Sequence, residues 1–199
     1  MMIRLFAFFL FIAGPVFAQD FPGRFSVTGV AADDRLNIRA AANANASIIG
    51  NLSPFAINVE VLETTRDGRW GKVGAGENNG WVSMRFLNAT PDAPNDFPRP
   101  FTCFGTEPFW SLNTTVRGDE YNAPDTGRRD LTMLEHATSS NGFIAKFQEG
   151  PTLNRTIIIR RAACNDGMSD RDYGWEATLF NEAPDGNNVA AGCCTMDTN

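Results

Sequence analysis

Short runs of β-forming residues, separated by turn-forming residues, recur along this sequence and limit what it can fold into. In the first half these runs are residues 25–30, 36–39, 47–52, 57–63, 69–73 and 80–83. No helical periodicity is sustained over three turns. The pattern is typical of a small all-β barrel. Segments 66–69 (Arg-Asp-Gly-Arg) and 77–80 (Glu-Asn-Asn-Gly) predict hairpin turns that lead into Trp70 and Trp81.

A proline-rich segment, residues 89–100, divides the chain. Its four prolines interrupt any helix or central strand and favour an extended spacer. Beyond it, β-type runs recur at residues 109–116, 131–135, 142–148, 156–161, 175–180 and 189–194. We predict a second, mostly antiparallel sheet or barrel over residues 101–199. The expected fold class is therefore all-β, with two small domains.

The first 18 residues have the pattern of a secretory signal peptide. Arg4 precedes an apolar stretch from Leu5 to Ile12, and Val16-Phe17-Ala18 provides a cleavage site. The apolar stretch is short for a membrane span. We expect cleavage after Ala18 and a mature chain that is periplasmic or secreted, without membrane insertion.

The acidic charge balance argues against two classes of partner. The chain has 17 Lys and Arg against 23 Asp and Glu, a net charge of −6; losing Arg4 with the signal leaves 16 against 23, or −7. We expect no cluster of lysine and arginine to break the acidic surface, and therefore neither nucleic acid nor anionic membrane as a partner. A basic protein or a cationic ligand is permitted.

The four cysteines lie in the second half: Cys103, Cys164, Cys193 and Cys194. In an exported chain oxidation is the default, which favours two disulfides. Zinc is the competing hypothesis, but there is no Cys-x-x-Cys pair and the single histidine, His136, has no partner at ligand spacing. We expect no metal and no cofactor. Adjacent Cys193 and Cys194 point to opposite faces of a strand, which favours bridges in two directions.

The motifs of residues 24–88 occur in the order of a known family. They are Leu-Asn-Ile-Arg at 36–39, Ile-Ile-Gly-Asn-Leu at 48–52, Val-Glu-Val-Leu at 59–62, Arg-Trp-Gly-Lys-Val at 69–73 and Gly-Trp-Val-Ser-Met-Arg-Phe-Leu at 80–87. This segment resembles a bacterial SH3-type (SH3b) domain. The resemblance implies an SH3-like barrel that recognises cell-wall peptide or peptidoglycan, or an envelope protein. One departure is the small-residue stretch 40–46, where the family often has a Ser-Gly-Pro-like turn.

Trp70, Trp81 and Phe55 are the candidate ligand-binding residues of this domain. Flat aromatic rings can bind an extended peptide or wall fragment at low entropic cost, which predicts an aromatic groove with Phe86 near by. The alternative is that these rings fill the core of a barrel too small to close without them.

The second half carries two distinctive motifs, Cys-Phe-Gly-Thr-Glu-Pro-Phe-Trp at 103–110 and Cys-Asn-Asp-Gly-Met-Ser-Asp-Arg-Asp-Tyr at 164–173. With Gly-Cys-Cys at 192–194 they resemble a family of bacterial exported proteins and lipoproteins that has Gly-x-Glu-Pro-Phe-Trp near its start and a final Gly-Cys. The resemblance implies a compact β domain with a bond between Cys164 and Cys193. Cys103 and Cys194 would then pair and staple the first and last strands together.

Residues 169–173, Ser-Asp-Arg-Asp-Tyr, are similar to the Ser-Gly-x-x-Tyr loop of periplasmic inhibitors of C-type lysozyme. The similarity gives an alternative function, inhibition through Ser169 and Tyr173, and an acidic inhibitor would associate quickly with a basic lysozyme. Asp170 replaces the glycine of that loop. The aspartates at 166, 170 and 172 could also suggest a calcium loop, but their spacing misses the Asp-x-Asp-x-Asp-Gly rule. We therefore interpret the segment with these aspartates as a solvated turn beside a disulfide.

The sequence contains no recognisable catalytic motif. Nucleophilic catalysis needs a base held beside the nucleophile, and the setting of His136, Leu-Glu-His-Ala, matches no such motif. Nothing singles out a carboxylate pair for glycoside hydrolysis. We therefore expect a binding protein and not an enzyme. Glu107 is expected to serve the fold, with Arg160 or Arg161 as a partner if it is buried.

Overall fold

The computed structural model describes residues 21–90 and 96–196. The predicted signal peptide, residues 1–18, lies outside the described residues, as do residues 91–95 of the predicted linker. Regular structure in the described part is β-strand apart from a short 3₁₀ turn, Met84–Phe86. The all-β prediction is confirmed.

Eight short strands form the first half, in two sheets. The sheet orders are β4-β1-β8 and β3-β2-β7-β6-β5. Apolar side chains that alternate along these strands, Phe25 and Val27 in one strand and Leu36 and Ile38 in the next, meet in one core. The strands are β1 (Gly23–Val27), β2 (Leu36–Arg39), β3 (Ile48–Leu52), β4 (Val59–Val61), β5 (Glu63–Thr64), β6 (Trp70–Ala75), β7 (Asn78–Ser83) and β8 (Leu87–Ala89).

One of the two predicted turns is confirmed and the other lies two residues earlier than predicted. Gly68 adopts φ +67° in the turn before β6, as the Asp-Gly pair indicated. The next turn is made by Gly76, at φ +62°, and Glu77, so Gly80 lies inside β7. A Cβ at Gly80 would lie 2.3 Å from Ile38 Cγ2, so close packing, not turn geometry, requires this glycine.

The second half is a closed barrel of eight antiparallel strands in the order β10-β11-β12-β13-β14-β15-β16-β9. Consecutive strands pair with each other, and β9 closes the barrel by pairing with both β10 and β16. The strands are β9 (Phe101–Thr106), β10 (Phe109–Thr115), β11 (Gly118–Ala123), β12 (Gly127–Ser139), β13 (Gly142–Glu149), β14 (Leu153–Asn165), β15 (Asp172–Ala183) and β16 (Gly186–Thr195).

Large side chains fill the barrel interior. Trp175 is fully buried, and its ring meets that of Phe101 edge to face with 5.7 Å between centroids. Phe147, Ile157 and Leu179 are also fully buried. The interior of the barrel is therefore a packed core and not a ligand-binding cavity.

Two disulfides fix the barrel. Cys103 in β9 is bonded to Cys194 in β16, and Cys164 in β14 is bonded to Cys193. The prediction of two disulfides is confirmed, and the pairing is the one that the family resemblance implies. Adjacent cysteines of β16 thus point to opposite faces, one joining the first strand to the last and the other holding the end of β14.

The two halves meet at a buried carboxylate. Glu60 of β4 is only 4% exposed. Its carboxylate accepts hydrogen bonds from Trp175 Nε1 at 2.9 Å, Thr195 Oγ1 at 2.6 Å and the Met196 backbone N–H at 3.4 Å. These three donors belong to the barrel or directly follow its last strand, so one acidic side chain of the first half closes one end of the second.

Further contacts join the two halves. Arg161 Nη1 donates to the Pro22 carbonyl at 2.8 Å, and Lys72 Nζ lies 2.5 Å from Asp172 Oδ2. A Cβ at Gly174 would lie 2.5 Å from the Pro22 ring, so only glycine allows Pro22 to pack against β15. The domains are therefore joined by hydrogen bonds, an ion pair and close packing.

We expect Glu60→Ala to lower the free energy of unfolding by about 2 to 3 kcal/mol, because it leaves the Trp175 and Thr195 donors buried without this acceptor. Urea unfolding followed by tryptophan fluorescence measures the change. Glu63→Ala is the matched control: Glu63 is exposed and makes a 3.5 Å surface ion pair with Lys72, worth less than about 1 kcal/mol. Equal losses in the two variants would contradict the role given to Glu60.

Replacing Cys103 and Cys194 together by alanine is expected to lower stability by about 2 to 4 kcal/mol, because their bond closes a long loop. The two cysteines are 91 residues apart, against 29 for Cys164 and Cys193. The corresponding double variant of the second pair should lose less, as the shorter loop has less closure entropy. Denaturant titration of both double variants measures the two losses of stability. A larger loss in the variant without Cys164 and Cys193 would contradict the prediction.

Candidate functional site

The first half carries a concave groove on its surface. It has a volume of about 1200 Å³ and lies between the loop after β1, the loop after β2 and the 3₁₀ turn. Its lining includes Arg35, Arg39, Arg69, Trp70, Arg85 and Phe86. We refer to it as the N-terminal groove.

A hydrogen-bonded turn holds Trp70 at the edge of this groove. Thr65 N–H donates to the Trp70 carbonyl at 2.9 Å, and Trp70 N–H donates to Thr65 Oγ1 at 3.2 Å. Within the turn, Asp67 accepts from the Thr65 hydroxyl at 2.7 Å and from Arg69 Nε at 2.5 Å. The Thr65 hydroxyl, followed by the backbone and side chain of Arg69, lowers the pKa of Asp67 to about 2. Asp67 is thus ionised at neutral pH and orders the turn that places Arg69 and Trp70.

The small-residue loop at 40–46 forms another wall. It is closed by a hydrogen bond from Ala40 N–H to the Ser47 carbonyl at 2.9 Å. Arg39 Nη1 donates to the Ala46 carbonyl at 2.7 Å, which fixes the guanidinium beside the loop. Ala42 and Ala44 line the groove, and their short side chains leave its space open.

Phe86 and Arg85 form the third wall. The Phe86 carbonyl accepts from Thr28 N–H at 2.8 Å, which ties the 3₁₀ turn to the end of β1. The guanidinium carbon of Arg85 lies 4.3 Å from the centroid of the Phe86 ring, within range of a cation–π interaction. The groove therefore combines aromatic faces with guanidinium groups.

The structure brings together only part of the predicted aromatic set. Trp70 lines the groove, and so does Phe86, whereas Trp81 and Phe55 are not among its lining residues. Trp81 lies opposite Arg39 on β2 and Lys72 on β6. Opposed residues share a sheet face, so Trp81 is on the outer face that also carries Trp70. Phe55 is 73% exposed, in the loop between β3 and β4. The buried core of this half contains neither tryptophan.

The arginines of the groove were missed by the sequence analysis. Arg35, Arg39, Arg69 and Arg85 are spread over 51 positions and never form a run, and only folding gathers them at one surface. The expectation that no cluster of basic residues interrupts the acidic surface is wrong at this groove.

The two distinctive motifs of the barrel meet at a second location. Thr106 Oγ1 donates to the Asp166 carbonyl at 3.1 Å, and the rings of Phe104 and Tyr173 meet edge to face at 5.0 Å. Exposed Phe109 and Met168 line the shallow depressions beside this contact. The second motif is therefore folded onto the outer wall of the barrel next to the Cys164–Cys193 bond.

Asp166 organises the second motif. Its carboxylate accepts from the backbone N–H groups of Met168 and Ser169 at 2.9 and 3.0 Å, from Ser169 Oγ at 3.2 Å and from the Tyr173 hydroxyl at 3.3 Å. Burial acts to raise the pKa of Asp166, but the hydrogen bonds from Met168, Ser169 and Tyr173 together outweigh it, so the pKa is lowered. The ionised carboxylate is the favoured form in the folded protein.

Ser169 and Tyr173, the predicted inhibitor residues, are therefore engaged inside the protein. Tyr173 is only 9% exposed. The loop itself contacts the first half, because Asn79 Nδ2 donates to the Asp170 carbonyl at 2.9 Å and Asp172 pairs with Lys72. Asp170, within this loop, stays exposed, and Ser169 is half-buried.

The remaining candidate residues of the sequence analysis are His136 and Glu107. His136 Nε2 lies 3.9 Å from Asp96 Oδ1, and its ring meets that of Phe97 edge to face. Glu107 is exposed, so the burial that would require a partner is not present; Arg160 pairs with Glu176 and Arg161 bonds to Pro22. Residues 21–90 and 96–196 contain no group of three or more metal-ligating side chains. They also contain no helix long and apolar enough to cross a membrane.

These features define an all-β protein in which an SH3-like domain with an open groove precedes a disulfide-closed barrel. Residues 34–88 match the family model of the bacterial SH3 domain. This segment is a bacterial SH3 domain, a class of binding domain. A search of curated proteins found no match, and neither did a search of solved structures.

We expect Asp166→Asn to lower the free energy of unfolding by about 1 to 2 kcal/mol at neutral pH, because it weakens the hydrogen bonds that the Asp166 carboxylate accepts. Because the folded-state pKa is lowered, the stabilisation is present above the unfolded aspartate pKa of about 3.9 and is lost as pH falls through the folded value. The difference between variant and parent should therefore shrink with acidification. Thermal unfolding between pH 7 and pH 3 measures it, and Asp170→Asn, in the same loop, is the control. A difference that grows at low pH would contradict the assignment.

Proposed function

We propose that this protein is an exported, non-catalytic binding protein whose SH3 domain recognises cell-wall peptide or peptidoglycan, or an envelope protein, through the N-terminal groove. The observation that carries the proposal is the groove itself. It is concave and open, and it is lined by the ring of Trp70, which a well-packed domain would otherwise bury. Extended peptides bind well to such aromatic surfaces.

The groove is turned away from the barrel. The barrel contacts Lys72, Gly74 and Asn79, whereas Trp70 and Ser83 at the other ends of the same strands line the groove. Trp70 and Gly74 are four residues apart, which corresponds to about 13 Å along a strand. A ligand in the groove would therefore not have to displace the barrel.

Two disulfides support an extracytoplasmic location. The described cysteines are all oxidised, and such bonds persist in the periplasm or outside the cell, where glutathione and thioredoxin do not reduce them. Cell-wall material and envelope proteins are the partners available there. The barrel supplies a rigid support that holds the groove away from its own surface.

Trp70→Ala is expected to reduce retention of the oxidised protein on purified peptidoglycan by about tenfold or more, since aromatic anchors dominate such interfaces. Co-sedimentation with insoluble peptidoglycan measures the retained fraction. Phe55→Ala is the matched control, because Phe55 is an exposed aromatic residue of the same domain outside the groove. Loss of retention in the control but not in Trp70→Ala would contradict the groove as the binding site.

The alternative function is inhibition of C-type lysozyme, and an assay of lysozyme activity in the same tubes tests it. Inhibition that disappears in Tyr173→Phe, without retention on peptidoglycan, would transfer the function to residues 169–173. Retention without inhibition is the expected result.

A further inference from the structure

The N-terminal groove is an island of positive charge on an acidic protein. Four arginines line it, with Asp34 as the acidic residue among the lining side chains, while the whole chain carries a net charge of −6. Asp34 is turned toward its own backbone, because its Oδ1 accepts from Arg35 N–H at 2.7 Å. The local charge is thus opposite in sign to that of the molecule.

Most of these guanidinium groups are not neutralised within the protein. Among the residues that the structure describes, Arg69 is paired with Asp67, but Arg35, Arg39 and Arg85 take part in no ion pair. Arg35 and Arg85 are exposed. Arg39 and Arg85 are nevertheless held in place, one by the Ala46 carbonyl and the other by the Phe86 ring. They are positioned cations that lack a counterion.

We infer that the groove binds an extended peptide that carries free carboxylates, with the carboxylates at Arg35, Arg39 and Arg85 and the apolar parts on Trp70 and Phe86. The inference rests on the proposed function and specifies the chemistry of its ligand. Guanidinium groups bind carboxylates through paired, charge-assisted hydrogen bonds. The aromatic faces between them accommodate short aliphatic side chains of the same peptide.

The charge of the whole protein favours a short carboxylate ligand over a long polyanion. A nucleic acid would extend beyond the groove, and the acidic remainder of the surface would repel its phosphates. A peptide with one or two carboxylates stays within the cationic region. Nucleic acid is therefore the competing outcome of the test and not the ligand we infer.

The test uses a matched pair of peptides with the mature, oxidised protein. One is an acetylated Ala-Glu-Ala-Ala with free carboxylates, and the other is acetylated Ala-Gln-Ala-Ala amide. NMR titration should show shifts at the groove residues with the first peptide and affinity weaker by about tenfold or more with the second. Combined Arg35→Gln and Arg85→Gln should weaken the first peptide by about tenfold. Combined Arg66→Gln and Arg117→Gln, which removes the same charge outside the groove, should not.

Equal binding of both peptides, or no groove shifts with the carboxylate peptide up to millimolar concentration, would overturn the inference. Tighter binding of oligothymidylate than of the peptide would also overturn it. If peptidoglycan retention depends on Trp70 but not on the groove arginines, the inference fails and the proposed function stands. Carboxylate-dependent shifts at the groove without retention on peptidoglycan leave the inference standing and remove the proposed wall ligand.

Discussion

The carboxylate of Glu60 joins the two halves of this protein, and the placement of the groove depends on it. A carboxylate that is almost fully removed from water is unfavourable unless polar groups compensate it. Here the barrel supplies the compensation through Trp175, Thr195 and the backbone of Met196. Trp175 is also fully buried in the barrel core, against the ring of Phe101. One contact therefore links the packing of the barrel to the orientation of the SH3 domain.

This junction determines what each domain exposes. The barrel contacts Lys72 within β6 and covers one end of β6 and β7 at Gly74 and Asn79, and the opposite end carries Trp70 and the groove. The loop at 169–173 packs against the first half at the same junction through the Asp170 carbonyl and the Asp172 side chain. Its serine and tyrosine bond to Asp166.

The fold was largely predictable because the alternation of apolar and polar residues that marks a strand is a local feature of the sequence. Alternation placed most strands, and adjacent cysteines on one strand required bonds on two faces. Strands β8, β9 and β11 were missed: β11 reads Gly-Asp-Glu-Tyr-Asn-Ala, which is too polar for its pattern to indicate a strand. Barrel closure holds it in place through its two neighbours. In the candidate site, Trp70 was predicted, but the arginines were not, because residues distant in sequence meet there.

The sequence by itself determined the all-β class, the SH3 domain and the presence of two disulfides, since these follow from residue type and short-range spacing. Tertiary structure alone decided which aromatic residues share a surface, which arginines gather beside them and which polar loop is covered. These outcomes depend on strand register and on the packing of one domain against another. The packing of the two halves is set by contacts between residues 91 to 139 positions apart, such as Glu60 with Trp175 at a separation of 115, and no local pattern records them.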